Sequence, residues 1–247
     1  MGSDAGDIKE AEPTPSQAGL WEDFVDIFYA PSQVFARRSR RNPGLAMLFL
    51  VGAATILFFL TKNAMQPIMD AEFARQSAAA MRKNPNVTAE QLATGRHFFE
   101  MLGPLFVAVG LTFSILFTGL ILWLVSKLFD AKESVTAAIM IATYAEVPRL
   151  VQGLVNAAQA LFMSPDKLNA INSVGLNLAR FMDPDRASPI AIAVASRVDV
   201  FTIWVTVLLA IGIHVVGRIP KQQAGIVGAI VWVAGGLPAI LGALRGS

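Results

Sequence analysis

The first two apolar runs of the 247-residue chain contain no charged side chain: "GLAMLFLVGAATILFFLT" at 44–61 and "MLGPLFVAVGLTFSILFTGLILWLVS" at 101–126. The hydrocarbon core of a bilayer is about 30 Å thick and takes about 20 helical residues to cross, so each run reads as a membrane span. Two more qualify, "VFTIWVTVLLAIGIHVVG" at 200–217 with one histidine and the uncharged "AGIVGAIVWVAGGLPAILGAL" at 224–244. The stretch 135–163 is as apolar except at "TYAEVPRL", which sets Glu146, Pro148 and Arg149 within four positions of one another. Backbone polar groups inside hydrocarbon must be satisfied within the chain, and helices do this segment by segment. The fold class expected is an all-α membrane protein with five transmembrane helices, together with amphipathic helices in the N-terminal region and in both outer loops.

Composition agrees and removes several alternatives. With 54% hydrophobic and 15% charged residues and a mean hydropathy of +0.54, the chain is too apolar for a soluble domain of its length. A net charge of +2 is close to balanced and implies no nucleic-acid partner. There is no cysteine, and the two histidines, His97 and His214, have no neighbouring ligand cluster, so neither a disulfide nor a metal site is expected. The patterns of phosphate loops, zinc proteases and serine hydrolases are absent from the sequence. The expectation is a non-enzymatic protein without a cofactor.

Residues 1–19, acidic and polar, read as a disordered tail rather than a cleaved signal. Residues 20–43 form an amphipathic and basic cytoplasmic segment, followed by the membrane domain at 44–247. In "LWEDFVDIF", Leu20, Trp21, Phe24, Ile27 and Phe28 share one helical face, with Glu22, Asp23 and Asp26 opposite. That acidic face disfavours attraction to anionic lipid and predicts docking onto the bundle or a partner. In the basic element that follows, Arg37, Arg38, Arg40 and Arg41 are placed to meet lipid phosphates. Basic residues before the first span predict a cytoplasmic N-terminus, and five crossings then put the C-terminus outside. In the first outer loop, "NPN" breaks the chain and Thr88 with Gln91 forms a capping box that opens the next helix. In the second, Leu168, Ile171, Val174, Leu178, Phe181 and Met182 recur at helical spacing, and "MDPDRASP" stops and restarts the chain.

The third span carries the chemistry. An Arg or Asp at the bilayer centre costs about 2.5–3.5 kcal/mol on insertion scales, so Glu146 and Arg149 should face the interior. Three positions apart, they can share one helical face and neutralise each other. Pro148 removes the hydrogen bond to the Tyr144 carbonyl, which predicts a kink and an acceptor in need of a partner. Tyr144, Glu146, Pro148 and Arg149, with His214 of the fourth span, are the candidate polar site: either a cavity or hinge, or an ion pair that fixes packing. In the last span Gly228, Gly235 and Gly236 supply small faces for close helix packing.

Three stretches resemble the Yip family of five-span integral membrane proteins. "TYAEVPRL" is similar to that family's glycine-tyrosine stretch ending in proline within the third span. "RVDVFTIWVTVLLAIGIHVVG" enters the fourth span and "DIFYAPSQVFARR" precedes the first in the same order. Eukaryotic members interact with Rab-type small GTPases in vesicle trafficking. Here Thr143 stands where those members have glycine, and their aspartate-leucine-tyrosine-glycine-proline signature is absent, so the likeness is to bacterial members and does not imply GTPase binding. It implies a bacterial inner-membrane protein that organises protein partners or lipid in the membrane. Partners expected are membrane lipid, a homo-oligomer or a second membrane protein, with Trp21, Phe24 and Phe28 and the four arginines as contacts. The alternative function is a small transporter or channel that uses Glu146 and Arg149.

Overall fold

The computed structural model describes residues 19–164, 167–168 and 170–246. The tail expected at 1–19 lies outside these residues except for Gly19. Among the described residues the elements are helices α1 (Leu20–Asp26), α2 (Pro31–Arg38), α3 (Gly44–Lys83), α4 (Ala89–Ser126), α5 (Val135–Ala145), α6 (Pro148–Phe162), α7 (Pro189–Arg197), α8 (Val200–Gly217) and α9 (Lys221–Gly246), with short 3-10 turns between some of them.

The first charge-free run does not end where its apolarity does. Alanine, glutamine, methionine and arginine continue the helix through Pro67, so α3 is one rod of 40 residues, about 60 Å long. Asn84 and Pro85 stop it. Thr88 then accepts from the Gln91 amide at 3.2 Å while the Gln91 side chain accepts from the Thr88 amide at 3.1 Å, the reciprocal cap that starts α4.

Four helices, α3, α4, α8 and α9, are long and apolar enough to cross a membrane. They differ in what they meet. Only 11% of the apolar window of α3 and 17% of that of α4 are buried within the protein, against 44% for α8. The outer flanks of α3 and α4 are therefore surfaces for acyl chains. α8 and the short α5 form the centre, with Ala138, Ile141, Ala142 and Ala145 of α5 fully enclosed. Two glycines let this happen. A Cβ on Gly119 of α4 would stand 2.7 Å from the Ile139 backbone, and one on Gly212 of α8 would overlap the Ile141 side chain. Their missing side chains bring α4 and α8 against opposite sides of α5.

The third apolar stretch is not one helix. α5 has 11 residues and α6 has 15, and the chain breaks between them at Glu146 and Val147. The helix expected from 168–182 is also absent in that form. Its described residues make two 3-10 turns, Ile171–Val174 and Leu178–Phe181, separated by extended backbone at Gly175 and Asn177. The reason is tertiary pairing. Asn177 forms an antiparallel bridge with Asp199, and Leu178 N–H donates to the Val198 carbonyl, so this strip is held as an edge beside the start of α8. "MDPDRASP" restarts the chain as expected, with Ser188 capping α7.

The N-terminal helix turns a different face inward from the one its pattern suggests. Phe24 and Ile27 are buried as expected and Phe28 packs edge-on to Trp204, but Trp21 is 68% exposed while Asp23 is completely enclosed. α2 lies on α8 and buries Val34 and Phe35.

Candidate functional site

The break at Glu146 begins with proline chemistry. Pro148 has no N–H to return to Tyr144, and the ring disfavours helical geometry just before it. The chain responds by tightening. Val147 N–H donates to the Tyr144 carbonyl at 3.2 Å, and Arg149 N–H to the Glu146 carbonyl at 3.0 Å. The acceptor that the sequence leaves without a partner is thus answered by a 3-10 turn, which needs no water.

That turn places Glu146, 5% exposed, with its Oε2 accepting from Arg149 Nε at 2.7 Å. The pair is not isolated. Arg149 Nη1 donates to Gln152 Oε1 (3.0 Å), and Gln152 Nε2 donates to Asp199 Oδ1 (3.3 Å). The same Asp199 oxygen caps α8 by accepting from Thr202 N–H (2.9 Å). A chain of polar contacts therefore runs from the helix break to the first turn of α8.

Arg197 completes this layer from α7. Its Nη2 donates to the Trp232 carbonyl of α9 (2.6 Å), and Trp232 Nε1 donates back to the Arg197 carbonyl (3.3 Å). The guanidinium lies against Gly235 and Gly236, where an added Cβ would come within 3.1–3.3 Å of its nitrogens. Those two glycines face an arginine, whereas Gly228 packs on Thr206 and Ala210 of α8. Burial, and next the Arg149 cation, draw Arg197 below the ordinary arginine value, against the pull of Glu146 and Asp199. Two carboxylates and two guanidiniums balance the layer, yet Arg197 Nε and Asp199 Oδ2 are buried with no hydrogen-bond partner among the described residues.

A second cluster ties the N-terminal segment to the bundle. Asp23 accepts from Arg37 Nε at 2.6 Å, from Arg38 Nε, and from the Tyr144 hydroxyl at 3.3 Å. Arg37 also donates to Asp26 at 2.5 Å. Burial opposes the Arg37 charge, and the bonds to Asp26 and Asp23 outweigh it, leaving that guanidinium above its ordinary value. Tyr144 is enclosed between this cluster and Phe24, whose ring is 5.7 Å away. Of the four arginines expected to meet lipid, Arg37 and Arg38 are turned to internal carboxylates. Arg40 and Arg41 stand exposed.

His214 lies elsewhere, at the opposite end of α8. It donates from Nδ1 to the Ile219 carbonyl (2.7 Å) and joins neither cluster. Near that end the fully enclosed Glu133 carboxylate accepts from Ser126 Oγ (2.6 Å) and pairs with Lys127 (3.2 Å), while Lys132 N–H donates to the Gly217 carbonyl (2.9 Å). The α4–α5 and α8–α9 connections are thereby locked together.

The structure divides the expected site: Tyr144 joins Asp23 in one cluster, while Glu146 and Arg149, at the Pro148 break, join Gln152, Asp199 and Arg197 in the other. Sequence spacing could find Glu146 with Arg149 because they are one turn apart. Nothing in it could find Gln152 with Asp199, which are 47 positions apart. No group of three or more metal-ligating side chains converges among the described residues.

No curated protein and no solved structure matches the chain. A family model does match: the Yip1 domain aligns with residues 25–242, from the end of α1 into α9, and so takes in the layer of Glu146, Arg149, Arg197 and Asp199. With most of its length covered, and four helices able to cross a bilayer, this chain is an integral membrane protein of the Yip1 domain family.

Proposed function

We propose that this Yip1-domain protein is a non-enzymatic five-span membrane protein that organises protein partners or lipid in a bacterial inner membrane, with its N-terminus cytoplasmic and its C-terminus outside. The observation that carries the proposal is the division of its polar and aromatic groups. Asp23, Glu146 and Glu133 are all engaged inside the protein, whereas Trp21 and Val25 of α1 and Tyr29 of the turn after it are 68%, 43% and 84% exposed, and Arg40 and Arg41 after α2 are exposed as well. Aromatics and arginines left outward on a docked segment suit a contact surface. The broken pair α5 and α6 supplies the fifth crossing, its two pieces together long enough for the hydrocarbon core. An odd number of crossings follows, which separates the termini.

A photoreactive residue at Tyr29 or Arg40, activated in native membranes, should trap one specific protein or a second copy of the chain. A monomer alone, from both positions, would overturn the proposal of a partner.

One observation favours a second reading, a small transporter. Asp199 Oδ2 and Arg197 Nε are buried and unpaired in the layer that contains Glu146. Such groups line substrate paths when water can reach them. In that case Glu146→Gln abolishes flux in reconstituted vesicles while the protein stays folded; vesicles of the unaltered protein that carry no flux remove the reading.

A further inference from the structure

Residues 19–43 carry four arginines, Arg37, Arg38, Arg40 and Arg41, and three carboxylates, Glu22, Asp23 and Asp26. The aspartates are taken up by Arg37 and Arg38, and Glu22 accepts from the Gly19 amide at 2.8 Å. The surplus positive charge is therefore carried outward by Arg40 and Arg41. These two are not equivalent. Arg41 stands with Arg38 on the rim of a cavity of about 330 Å³, whose wall is made by Leu45, Ala46, Met140 and Tyr144; Arg40 does not line it. At about 30 Å³ per water the space equals about ten waters, enough for a phosphate and the first carbons attached to it.

We infer that this cavity binds the headgroup phosphate of one anionic phospholipid from the cytoplasmic leaflet. The cation rim selects an anion, and Arg41 offers planar donors suited to phosphate. The wall selects a lipid over a soluble anion. Leu45 lines the cavity and is also 74% exposed, next to Leu48 at 68%, on the flank of α3 that meets acyl chains. One side of the cavity thus opens onto the bilayer, and its charged rim sits where the apolar run of α3 begins at Gly44. Trp21 marks the same level, its indole exposed and 6.1 Å from Phe49 of α3, as interfacial tryptophans are placed. Asp23 lies behind Arg38, already paired there and with Arg37, so it does not leave an uncompensated negative charge facing the phosphate.

This inference rests on the proposed cytoplasmic placement of the N-terminal segment and deepens the lipid half of the proposed function. Its test is native mass spectrometry of the full chain released from vesicles of phosphatidylcholine containing phosphatidylglycerol. One phosphatidylglycerol should stay bound per chain. Arg41→Gln should lower the retained fraction by about tenfold, the loss of a charged donor, while Arg40→Gln changes it by less than about twofold. Ala46→Leu, which narrows the apolar wall, should also reduce retention, with circular dichroism confirming the fold. Equal losses for Arg40→Gln and Arg41→Gln would mean diffuse attraction and overturn the site, as would equal retention of phosphatidylcholine. Displacement by inorganic phosphate would overturn the choice of a lipid. A partner trapped from Tyr29 without retained lipid removes this site and leaves the proposed function standing; retained lipid with monomer alone removes only the protein partner.

Discussion

Asp23→Asn removes one charge and almost no volume from the carboxylate that joins α1 and α2 to Tyr144. A buried ion pair broken from one side costs about 3–5 kcal/mol. Two features reduce that here. Asparagine keeps one carbonyl acceptor, and Arg37, 28% exposed, retains Asp26 at 2.5 Å. Arg38, 12% exposed, bears most of the change. The cost then falls to about 2–3 kcal/mol, equivalent to about 30- to 160-fold in the equilibrium between docked and open hairpin. Against it stand Phe24, Ile27, Val34 and Phe35, each 5% exposed or less, whose burial contributes about 1.5–3 kcal/mol apiece. Burial exceeds the loss, so the hairpin stays docked and opens more often. Hydrogen exchange of the full chain in lipid nanodiscs reads this directly: amide protection over 20–38 should fall by about 30- to 160-fold, with α8 unchanged. Asp26→Asn, at a side chain 39% exposed, should change it by about fivefold or less. Equal protection in Asp23→Asn and the unaltered protein, or equal losses in the two variants, would refute the claim that a buried carboxylate holds the segment.

Three other outcomes follow from the packing and the caps. Gly119→Ala forces a Cβ to 2.7 Å from the Ile139 backbone and should cost about 1–3 kcal/mol, seen as a lower melting temperature in detergent, whereas Gly110→Ala enters open space and should not lower it. Glu146→Ala leaves Arg149 without its carboxylate and should destabilise by about 3 kcal/mol or less, since that side chain is 35% exposed; Glu146→Leu combined with Arg149→Met should recover most of the loss, and strict additivity in the double-mutant cycle would contradict the pairing. Thr88→Ala removes the reciprocal cap of α4 and should cost about 1 kcal/mol, with faster hydrogen exchange confined to the first turn of that helix.

What depends on neighbours within a few turns of chain is legible in the order of residues. Apolar runs become helices because a bilayer leaves an unpaired backbone no water to bond, and the spanning parts of α3, α4, α8 and α9 follow from that. The Thr88 cap and the 2.7 Å contact of Glu146 with Arg149 are equally local, each spanning one turn. Tertiary structure decided which faces turn inward. In a soluble helix an apolar face points to the core, but beside a bilayer both the core and the surroundings are apolar, so the pattern of α1 could not say that Trp21 faces out and Asp23 in. Asp23 is stable inside only because the turn after α1 returns Arg37 and Arg38 to it, 14 and 15 positions on, and α5 brings Tyr144 from 121 positions away. The helix expected over 168–182 lost to a bridge between Asn177 and Asp199, a pairing that exists only once α8 is in place. Gly119 and Gly212, rather than the glycines of the last span alone, set the tightest helix contacts, because α5 is the element both must approach. Local chemistry makes the helices; long-range charge pairing and the absence of a Cβ at two positions decide how they meet.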